Sequence, residues 1–400
     1  MRALDNGFHN NLKRMYDYLA VEYAVSKFIY PLSAVSSESQ GSNKSTPYYI
    51  HSSSNHQVPP IRPESQGYAA WILQIILLAV GYFWFTTCCF LVKPKPAATL
   101  PNQEDESFRQ YLARIKLPRS FSRKYLLPLL SSVTTCPHDA LLDFPAVDCV
   151  EYAKRTYRQP HYTAVGGVQS VQEKLSQDLT VHLNATVAAV QSVGTKVQVS
   201  WTDSKTNTVS SKDFDHVIMA VTPNVVGAIY EPLREVMGSI PVISGESVVH
   251  RDVSAIPDCG RNLEHAQQQQ RQQNRQTLHI CSDFSHTESI HELPSSVFVT
   301  NFPITPIDPS KILHRAQLAR VLRTPGSRKF VNGIFAVDSN SSNNNNSHED
   351  TNQEKEQVWR NGDGNVWLVG AWCWDGMVLL EGCVVSAMRV ATSLGVEVPW

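Results

Sequence analysis

The stretch LVGAWCWDGMVLLEGCVVSAMRVA (residues 368–391) carries the strongest structural signal in the chain. Its pattern predicts an apolar strand at 366–369, a glycine-rich turn from Gly370, and a helix over 383–393 that Glu381 and Gly382 open. The N–H groups at a helix N-terminus favour an anionic or carbonyl-rich ligand. The pattern predicts a place that holds the polar edge of a cofactor, although any parallel α/β crossover is built in the same way.

A second segment upstream has a similar order. Gly166 and Gly167 open a predicted helix whose apolar face is formed by Val168, Val171, Leu175 and Leu179. A strand that ends near Val190 and a ribbon of alternating apolar residues follow. We expect the turns around residues 166 and 370 to meet on the same sheet and to enclose one ligand.

The apolar run at 217–221 ends the second segment. Its sequence, VIMAV, is uninterrupted and is closed by Thr222 and Pro223. A continuous apolar run bounded by turn residues suits a strand that is buried on both faces of a sheet.

The order of these segments resembles the FAD-dependent flavin-containing amine oxidoreductase superfamily. The closer resemblance is to fungal and bacterial proteins described as predicted flavin-containing amine oxidoreductases or NAD/FAD-binding proteins. Residues 106–130, 248–258 and 295–313 support this narrower match, and the resemblance covers most of the chain from about residue 100 onward. No single motif is diagnostic of the family, but the order of the motifs is.

The resemblance implies a mixed α/β (α+β) fold of the glutathione-reductase-like FAD/NAD(P)-binding type with a helical or mixed substrate domain. It divides the chain into four parts. Substrate-domain parts are expected at 1–160 and 236–360, a discontinuous FAD-binding part at 161–235, and a C-terminal FAD-binding part at 361–400.

One motif of the superfamily is absent. Its members hold the adenine dinucleotide mainly through an N-terminal βαβ unit with a GxGxxG turn, and the 400 residues contain no GxGxxG. The fold is therefore expected to be incomplete at its N-terminus, either because the sequence is a fragment or a mis-started gene model, or because the protein has lost its grip on the cofactor. We favour the first alternative, since a parallel sheet without its central strand is hard to stabilise. FAD is expected to bind poorly or not at all.

The resemblance also implies which residues contact FAD, whereas it gives no catalytic residue and no metal ligand. The backbone of Val187 would meet the adenine, and Thr222 and Pro223 would border the dinucleotide. The remaining implied cofactor contacts are Gly166, Gly167, Gly370, Ala371, Leu380, Glu381 and Gly382.

Two positions depart from the family pattern. Ala371 stands where many members carry an acidic residue that hydrogen-bonds to the cofactor, and Leu379 stands where amine oxidases carry an aromatic residue of the substrate cage. Trp372 and Trp374 could partly replace that aromatic residue. The flavin itself accepts the hydride, so the protein's side chains do not fix the class of substrate. The expected substrate is an amine or a lipophilic molecule, and the expected function is that of an FAD-linked oxidoreductase.

Composition and charge indicate a globular protein and give no support for nucleic-acid binding. The hydrophobic content of 42% is enough for a sizeable core, and the formal net charge of −1 gives no electrostatic case for nucleic-acid binding. The eight cysteines form no CxxC motif, and the N-terminus carries no apolar secretory signal. We expect a membrane-associated or cytoplasmic protein with reduced thiols and a small-molecule substrate.

The segment at 68–92 is the main exception to a water-soluble composition. Its 25 residues, YAAWILQIILLAVGYFWFTTCCFLV, include no formal charge and are long enough to cross a bilayer as a helix. A true span would split the implied substrate domain, whereas a buried or membrane-surface helix would not. The rival to an oxidoreductase is a non-catalytic membrane-associated protein that keeps the substrate-domain scaffold.

Two low-complexity inserts are predicted to form surface loops, at 265–276 and 339–350, because neither can bury enough apolar surface to offset its ordering entropy. Residues 36–66 are predicted to form a polar linker or loop.

Overall fold

The structure is a computed structural model that describes residues 3–35, 47–52, 62, 66–97, 104–257, 275–293, 296–335 and 359–400. The predicted insert at 339–350, nearly all of the insert at 265–276 and most of the predicted linker at 36–66 lie outside this part of the chain.

The strands of the described residues are, in chain order, β1 (Leu4–Asp5), β2 (Tyr23–Ala34), β3 (Tyr49–Ser52), β4 (His161–Ala164), β5 (Ala185–Val193), β6 (Lys196–Asp203), β7 (Val209–Phe214), β8 (Val217–Met219), β9 (Val242–His250), β10 (Arg275–Ser282), β11 (Thr287–Leu293), β12 (Val297–Asn301), β13 (Ile312–Val321) and β14 (Val366–Leu368).

The helices are α1 (Asn10–Tyr18), α2 (Tyr68–Leu91), α3 (Phe108–Arg114), α4 (Arg119–Phe121), α5 (Leu127–Thr134), α6 (His138–Leu142), α7 (Ala146–Thr156), α8 (Gly167–Ser176), α9 (Pro223–Ile229), α10 (Arg234–Met237), α11 (Pro325–Ile334) and α12 (Leu380–Ser393). A π-helical turn at Ser122–Leu126 joins α4 to α5.

The chain divides into two compact units. The first contains the described residues of Met1–Asp178, Val242–Pro325 and Pro399–Trp400, and the second contains those of Leu179–Pro241 and Gly326–Val398. Each unit is therefore assembled from segments that are far apart in the sequence.

A nine-stranded sheet forms the centre of the first unit, in the order β1-β4-β2-β10-β11-β12-β9-β13, with β3 paired to β2. The long strand β2 pairs antiparallel with β4 through its first residues and parallel with β10 through the rest. Leu32, Leu278 and Ile280 form a buried cluster where β2 meets β10, and Tyr48, Tyr49, Tyr125 and Leu129 pack against that cluster. The sheet therefore joins residues from both ends of the first unit's sequence.

The second unit has two smaller sheets. β5, β6 and β7 form an antiparallel ribbon, and β8 pairs in parallel with β14. α9 follows β8, and α12 follows β14 after a loop. Two parallel strands that are each followed by a helix form the structural core of this unit.

The prediction that residues 217–221 are buried on both faces is wrong. Met219 is buried, but Ile218 is 51% exposed and Val221 is 37% exposed. Of the described strands only β14 pairs with β8, which leaves one edge of β8 without a hydrogen-bonded neighbour. A strand with one partner cannot be shielded as the interior strand of a wide parallel sheet is.

The apolar face predicted after Gly166 is also only partly buried. α8 begins at Gly167 as predicted, and Val171 is buried. Val168 and Leu175 are exposed, and Leu179 lies beyond the end of α8. Of the four residues of the predicted apolar face, only Val171 is buried.

Candidate cofactor site

The parallel pairing of β8 and β14 places two turns beside each other at the carboxyl ends of the strands. Leu368 is opposite Met219 in the register, and the N–H of Val369 donates to the carbonyl of Met219 across 3.1 Å. Crevices at the carboxyl ends of parallel strands are the usual ligand sites of α/β sheets. The turn after β8 and the turn after β14 are therefore the candidate site, which we call the turn pair (residues 220–223 and 369–382).

A tryptophan side chain fixes the distance between the two turns. The indole Nε1 of Trp372 donates to the carbonyl oxygen of Val221 across 3.0 Å. Thr222 is the N-cap residue of α9 and Pro223 is its first residue. The hydrogen bond brings the predicted cofactor residues Thr222 and Pro223 next to the loop that contains Ala371.

Gly370 is held against α12 by a buried serine. The N–H of Gly370 donates to Oγ of Ser386 across 3.0 Å, and Ser386 is 1% exposed. Gly370 has a φ of +153°, and a Cβ at this position would lie 3.2 Å from Nε1 of Trp372. The positive φ favours glycine here, and a Cβ would also press on the indole of Trp372.

Gly382 lets the first turn of α12 approach the loop. A Cβ on Gly382 would lie 2.6 Å from the carbonyl oxygen of Ala371, so the contact excludes any larger residue. The helix begins at Leu380, and its N-cap residue, Leu379, provides no side-chain hydrogen bond to the first turn. The structure therefore brings Gly370, Ala371, Leu380, Glu381 and Gly382 together with Thr222 and Pro223.

Trp372 and Trp374 do not form an open aromatic cage. Their exposed fractions are 3% and 7%. The indole of Trp374 donates to the carbonyl oxygen of Met377 across 3.0 Å, while that of Trp372 donates to Val221. Both side chains are buried within the turn pair. Neither of them supplies the aromatic surface that amine oxidases have at the position of Leu379.

The other implied cofactor residues lie elsewhere. Val187 is on β5 of the three-stranded ribbon, opposite Trp201. Gly166 and Gly167 follow β4 in the first unit, whereas Gly370 follows β14 in the second. The expectation that the 166 and 370 turns share a sheet is wrong, because β4 pairs with β1 and β2, and β14 pairs with β8.

The chemistry of the turn pair fits one part of FAD. The helix N-terminus of α12, which has no side-chain cap, suits the carbonyl edge of an isoalloxazine ring. Residues 219–223 and 369–382 include no Lys or Arg, so these segments offer no cation to a pyrophosphate. These segments therefore suit the flavin ring, and the arginines that contact them, Arg328 and Arg389, both bind Asp375.

Sequence reasoning missed the residues that fix the loop. Ser386 is a buried hydroxyl between the apolar residues of α12 and bonds to Gly370, and Asn361 exchanges two hydrogen bonds with the backbone of Leu368, at 2.7 and 3.2 Å. A polar residue within an apolar helical stretch is a sequence signal for such a contact. Asn361 has no comparable signal, because its partner depends on the fold.

A separate cavity of about 480 Å³ lies in the first unit beside α2. Its polar groups include the side chains of Gln74 and Tyr125, which are joined by a 2.9 Å hydrogen bond, and burial raises the pKa of Tyr125. The residues that line it are Ala34, Tyr48, Gln66, Gln74, Lys124, Tyr125 and Phe284. Mixed apolar and polar walls with one lysine suit an amphiphilic molecule.

Two comparisons with known proteins found similarities to this chain. A family model described as flavin containing amine oxidoreductase matches residues 96–249. The fold is similar to that in the crystal structure of a CLA-producing fatty acid isomerase from P. acnes, with a TM-score of 0.58 and 10% sequence identity, over 99% of this chain and 86% of that one. No curated protein matches the chain. The predicted resemblance to the superfamily is confirmed over residues 96–249, and the predicted mixed α/β fold class is confirmed by the sheets, the helices and the structural likeness.

Proposed function

We propose that this chain, which matches a model of flavin-containing amine oxidoreductases over residues 96–249 and is similar in fold to a fatty acid isomerase, is an FAD-linked oxidoreductase whose flavin ring binds at the turn pair. The observation that carries the proposal is the hydrogen bond from Trp372 to Val221, which holds the two turns together at the carboxyl ends of β8 and β14. The flavin would supply hydride acceptance from the substrate.

The chain's own groups position the ring and shield it. The N-terminus of α12 is part of the turn pair and would stabilise electron density at the pyrimidine carbonyls. Met377, Val378 and Leu379 are buried beside the loop and keep water from that side of the site. These residues orient the cofactor, and none of them is assigned a proton-transfer role.

A lipophilic substrate is favoured over a small polar amine. Leu379 stands where an amine-steering aromatic residue is expected, and both nearby indoles are buried. The similar solved structure is a fatty acid isomerase by its title. The cavity beside α2, with Lys124 in its wall, has the polarity to take an amphiphile that carries a carboxylate.

The test is a titration of the purified chain with FAD, in which binding is measured by the quenching of flavin fluorescence. We expect saturable binding with a Kd weaker than about 1 μM, because the two segments of the turn pair carry no Lys or Arg for the pyrophosphate and the 400 residues contain no GxGxxG turn. A Kd of about 1 μM or lower would contradict the predicted weak affinity for FAD. Absence of saturable binding would contradict the flavin site and favour the non-catalytic alternative.

A substitution that is expected to increase the affinity for FAD tests the position of the site more directly. Ala371→Glu restores the acidic residue that relatives carry after the strand glycine, and one added hydrogen bond to the cofactor should tighten FAD binding roughly fivefold. Ala228→Glu, at an exposed position of α9, is the matched control and should leave the Kd unchanged. Equal effects of the two substitutions would show that FAD does not lie against residue 371.

A further inference from the structure

The outward face of α2 is apolar over the whole length of the helix. Its large exposed side chains include Leu77 at 62%, Phe83 at 72% and Leu91 at 77% exposure. The exposed residues of α2 are Tyr68, Ala69, Ala70, Ile72, Leu73, Ile76, Leu77, Ala79, Val80, Phe83, Trp84, Phe90 and Leu91. No charged residue is among them, whereas a helix on a water-facing surface carries polar residues on that side.

The opposite face of α2 packs on the first unit along the same length. Gln74 donates to the carbonyl of Tyr48, Gly81 lies against the ring of Phe121, and Phe85 makes an edge contact with Phe108. The buried positions 78, 81, 85, 88 and 89 recur at helical spacing. One side of the helix is therefore part of the protein core. On the other side Tyr68, Trp84 and Phe90 contact Arg62, Ile115 and Tyr157, and the large apolar side chains stay exposed.

The sheet rules out a crossing at α2. β2 precedes α2 in the sequence and β10 follows it, yet the two strands are hydrogen-bonded neighbours in parallel register. A single crossing at α2 would put these strands on opposite sides of the bilayer, and α2 is the one helix among the described residues that is long and apolar enough to cross. α2, although it is 24 residues long and about 36 Å from end to end, can contact a membrane only along its side.

A row of basic residues lies on the segment that packs against α2. Trp84 donates to the carbonyl of Ile115, and Phe121 and Tyr125 contact α2, so the segment between them lies along the helix. Lys116, Arg119, Arg123 and Lys124 are exposed on this segment, and the sequence has no acidic residue from 115 to 138. Lys93 and Lys95, which are also exposed, follow the end of the helix.

We propose that α2 and the basic row form a docking surface for an anionic lipid bilayer, with the helix lying parallel to the membrane and its exposed face in the acyl boundary. An apolar stripe flanked by Lys and Arg is the pattern that binds the membrane interface. The cations select this occupant over a second copy of the chain, because two copies would bring equal positive rows together. The inference does not depend on FAD binding.

Flotation of the full chain with phosphatidylcholine vesicles, with and without phosphatidylserine, tests the proposal. The chain should float with both compositions and bind more tightly when phosphatidylserine is present. Leu77→Glu with Phe83→Glu should lower vesicle binding more than about tenfold, since two charges then face the acyl region. Leu313→Glu, at a position of β13 that is 53% exposed, is the matched control and should float normally.

Neutralisation of the basic row separates charge from apolar contact. Lys116→Gln, Arg119→Gln and Arg123→Gln should each weaken binding to the phosphatidylserine vesicles roughly fivefold and leave binding to phosphatidylcholine almost unchanged. These side chains are exposed, so folding is not at risk, and circular dichroism checks that it is kept.

Three results would overturn the proposal. The first is equal binding of the α2 variants and the Leu313→Glu control. The second is lipid-free self-association that is abolished by Leu77→Glu with Phe83→Glu, which would make the face an interface between copies. The third is protease access to N- and C-terminal tags from opposite sides of the vesicle, which would mean that α2 spans the bilayer.

Discussion

Ser386 is the residue whose role the structure defines most clearly. Its hydroxyl accepts from the N–H of Gly370, and the hydroxyl proton can bond to the carbonyl of Gly370 or of Cys383. Ser386→Ala leaves a partly buried N–H without its acceptor and should lower the free energy of unfolding by about 1–3 kcal/mol. Denaturant titration measures the change.

Ser393→Ala on the same helix is the control for this substitution. Ser393 is exposed and donates to the carbonyl of Arg389 within its own helix. Its removal should change stability by less than about 0.5 kcal/mol. Equal losses for both serines would mean that the contact with Gly370 does not hold the loop.

His279 should make the stability of the protein depend on pH. Burial lowers its pKa to about 4, from an ordinary value of 6.5. Between these two values the unfolded chain binds the proton and the folded chain does not, so the free energy of unfolding should fall as the pH falls from about 6.5 to about 4.

Replacement of this histidine tests the source of that pH dependence. His279→Gln should reduce the slope of unfolding free energy against pH in this range, and His314→Gln, at an exposed position of β13, should not. Burial also lowers the pKa of His138, His161 and His250, so a smaller slope should remain. An unchanged slope in His279→Gln would contradict the assignment.

At the scale of the residue, sequence reasoning found positions but not their contacts. Gly370, Gly382 and Thr222 were predicted from turn chemistry and from family likeness, and the structure places them together. The hydrogen bond between Trp372 and Val221 could not be predicted, because it joins residues 151 positions apart. Such a partner follows from the pairing of β8 with β14, which a single sequence does not encode locally.

At the scale of the element, α2 depends on a glycine for its close packing. A Cβ on Gly81 would lie 2.5 Å from a ring carbon of Phe121, which is itself buried. Gly81→Ala gains about 1 kcal/mol of helix propensity but forces a packed ring to move, at a cost of about 1–3 kcal/mol. We expect a net loss of stability, measured by thermal or denaturant unfolding.

Gly333→Ala provides the matched comparison. Gly333 lies in α11, and a Cβ there would meet nothing within 4 Å. This substitution should stabilise the protein by up to about 1 kcal/mol, because only the propensity term acts. A gain at both glycines would contradict the tight contact between α2 and α4.

Elements with a strong local pattern were predicted better than those that depend on distant partners. The strand at β14, the helix at α12 and the long helix at α2 match their apolar patterns and turn residues. The burial of β8 was predicted wrongly because a continuous apolar run was taken to imply neighbours on both faces. The pairing of β2 with β10 had no local signal, since the partners are more than 240 residues apart.

At the scale of the whole molecule, the order of the motifs predicts the fold class, but it does not predict which segments of the chain make up each unit. Both segments of the turn pair belong to the second unit, and the stretch Val242–Pro325, which lies between them in the sequence, belongs to the first unit. The sequence places these segments in the right order along the chain. Only the parallel register of β8 and β14 shows that their turns meet.

Hydrogen–deuterium exchange of the full chain with and without FAD tests the central claim most directly. If the turn pair holds the flavin, FAD should slow exchange in the peptides that cover residues 220–225 and 369–383, while the ribbon turn near Gly194 should be unaffected. Protection that is confined to peptides outside the turn pair, such as those around Gly166 and Gly167, would contradict the account.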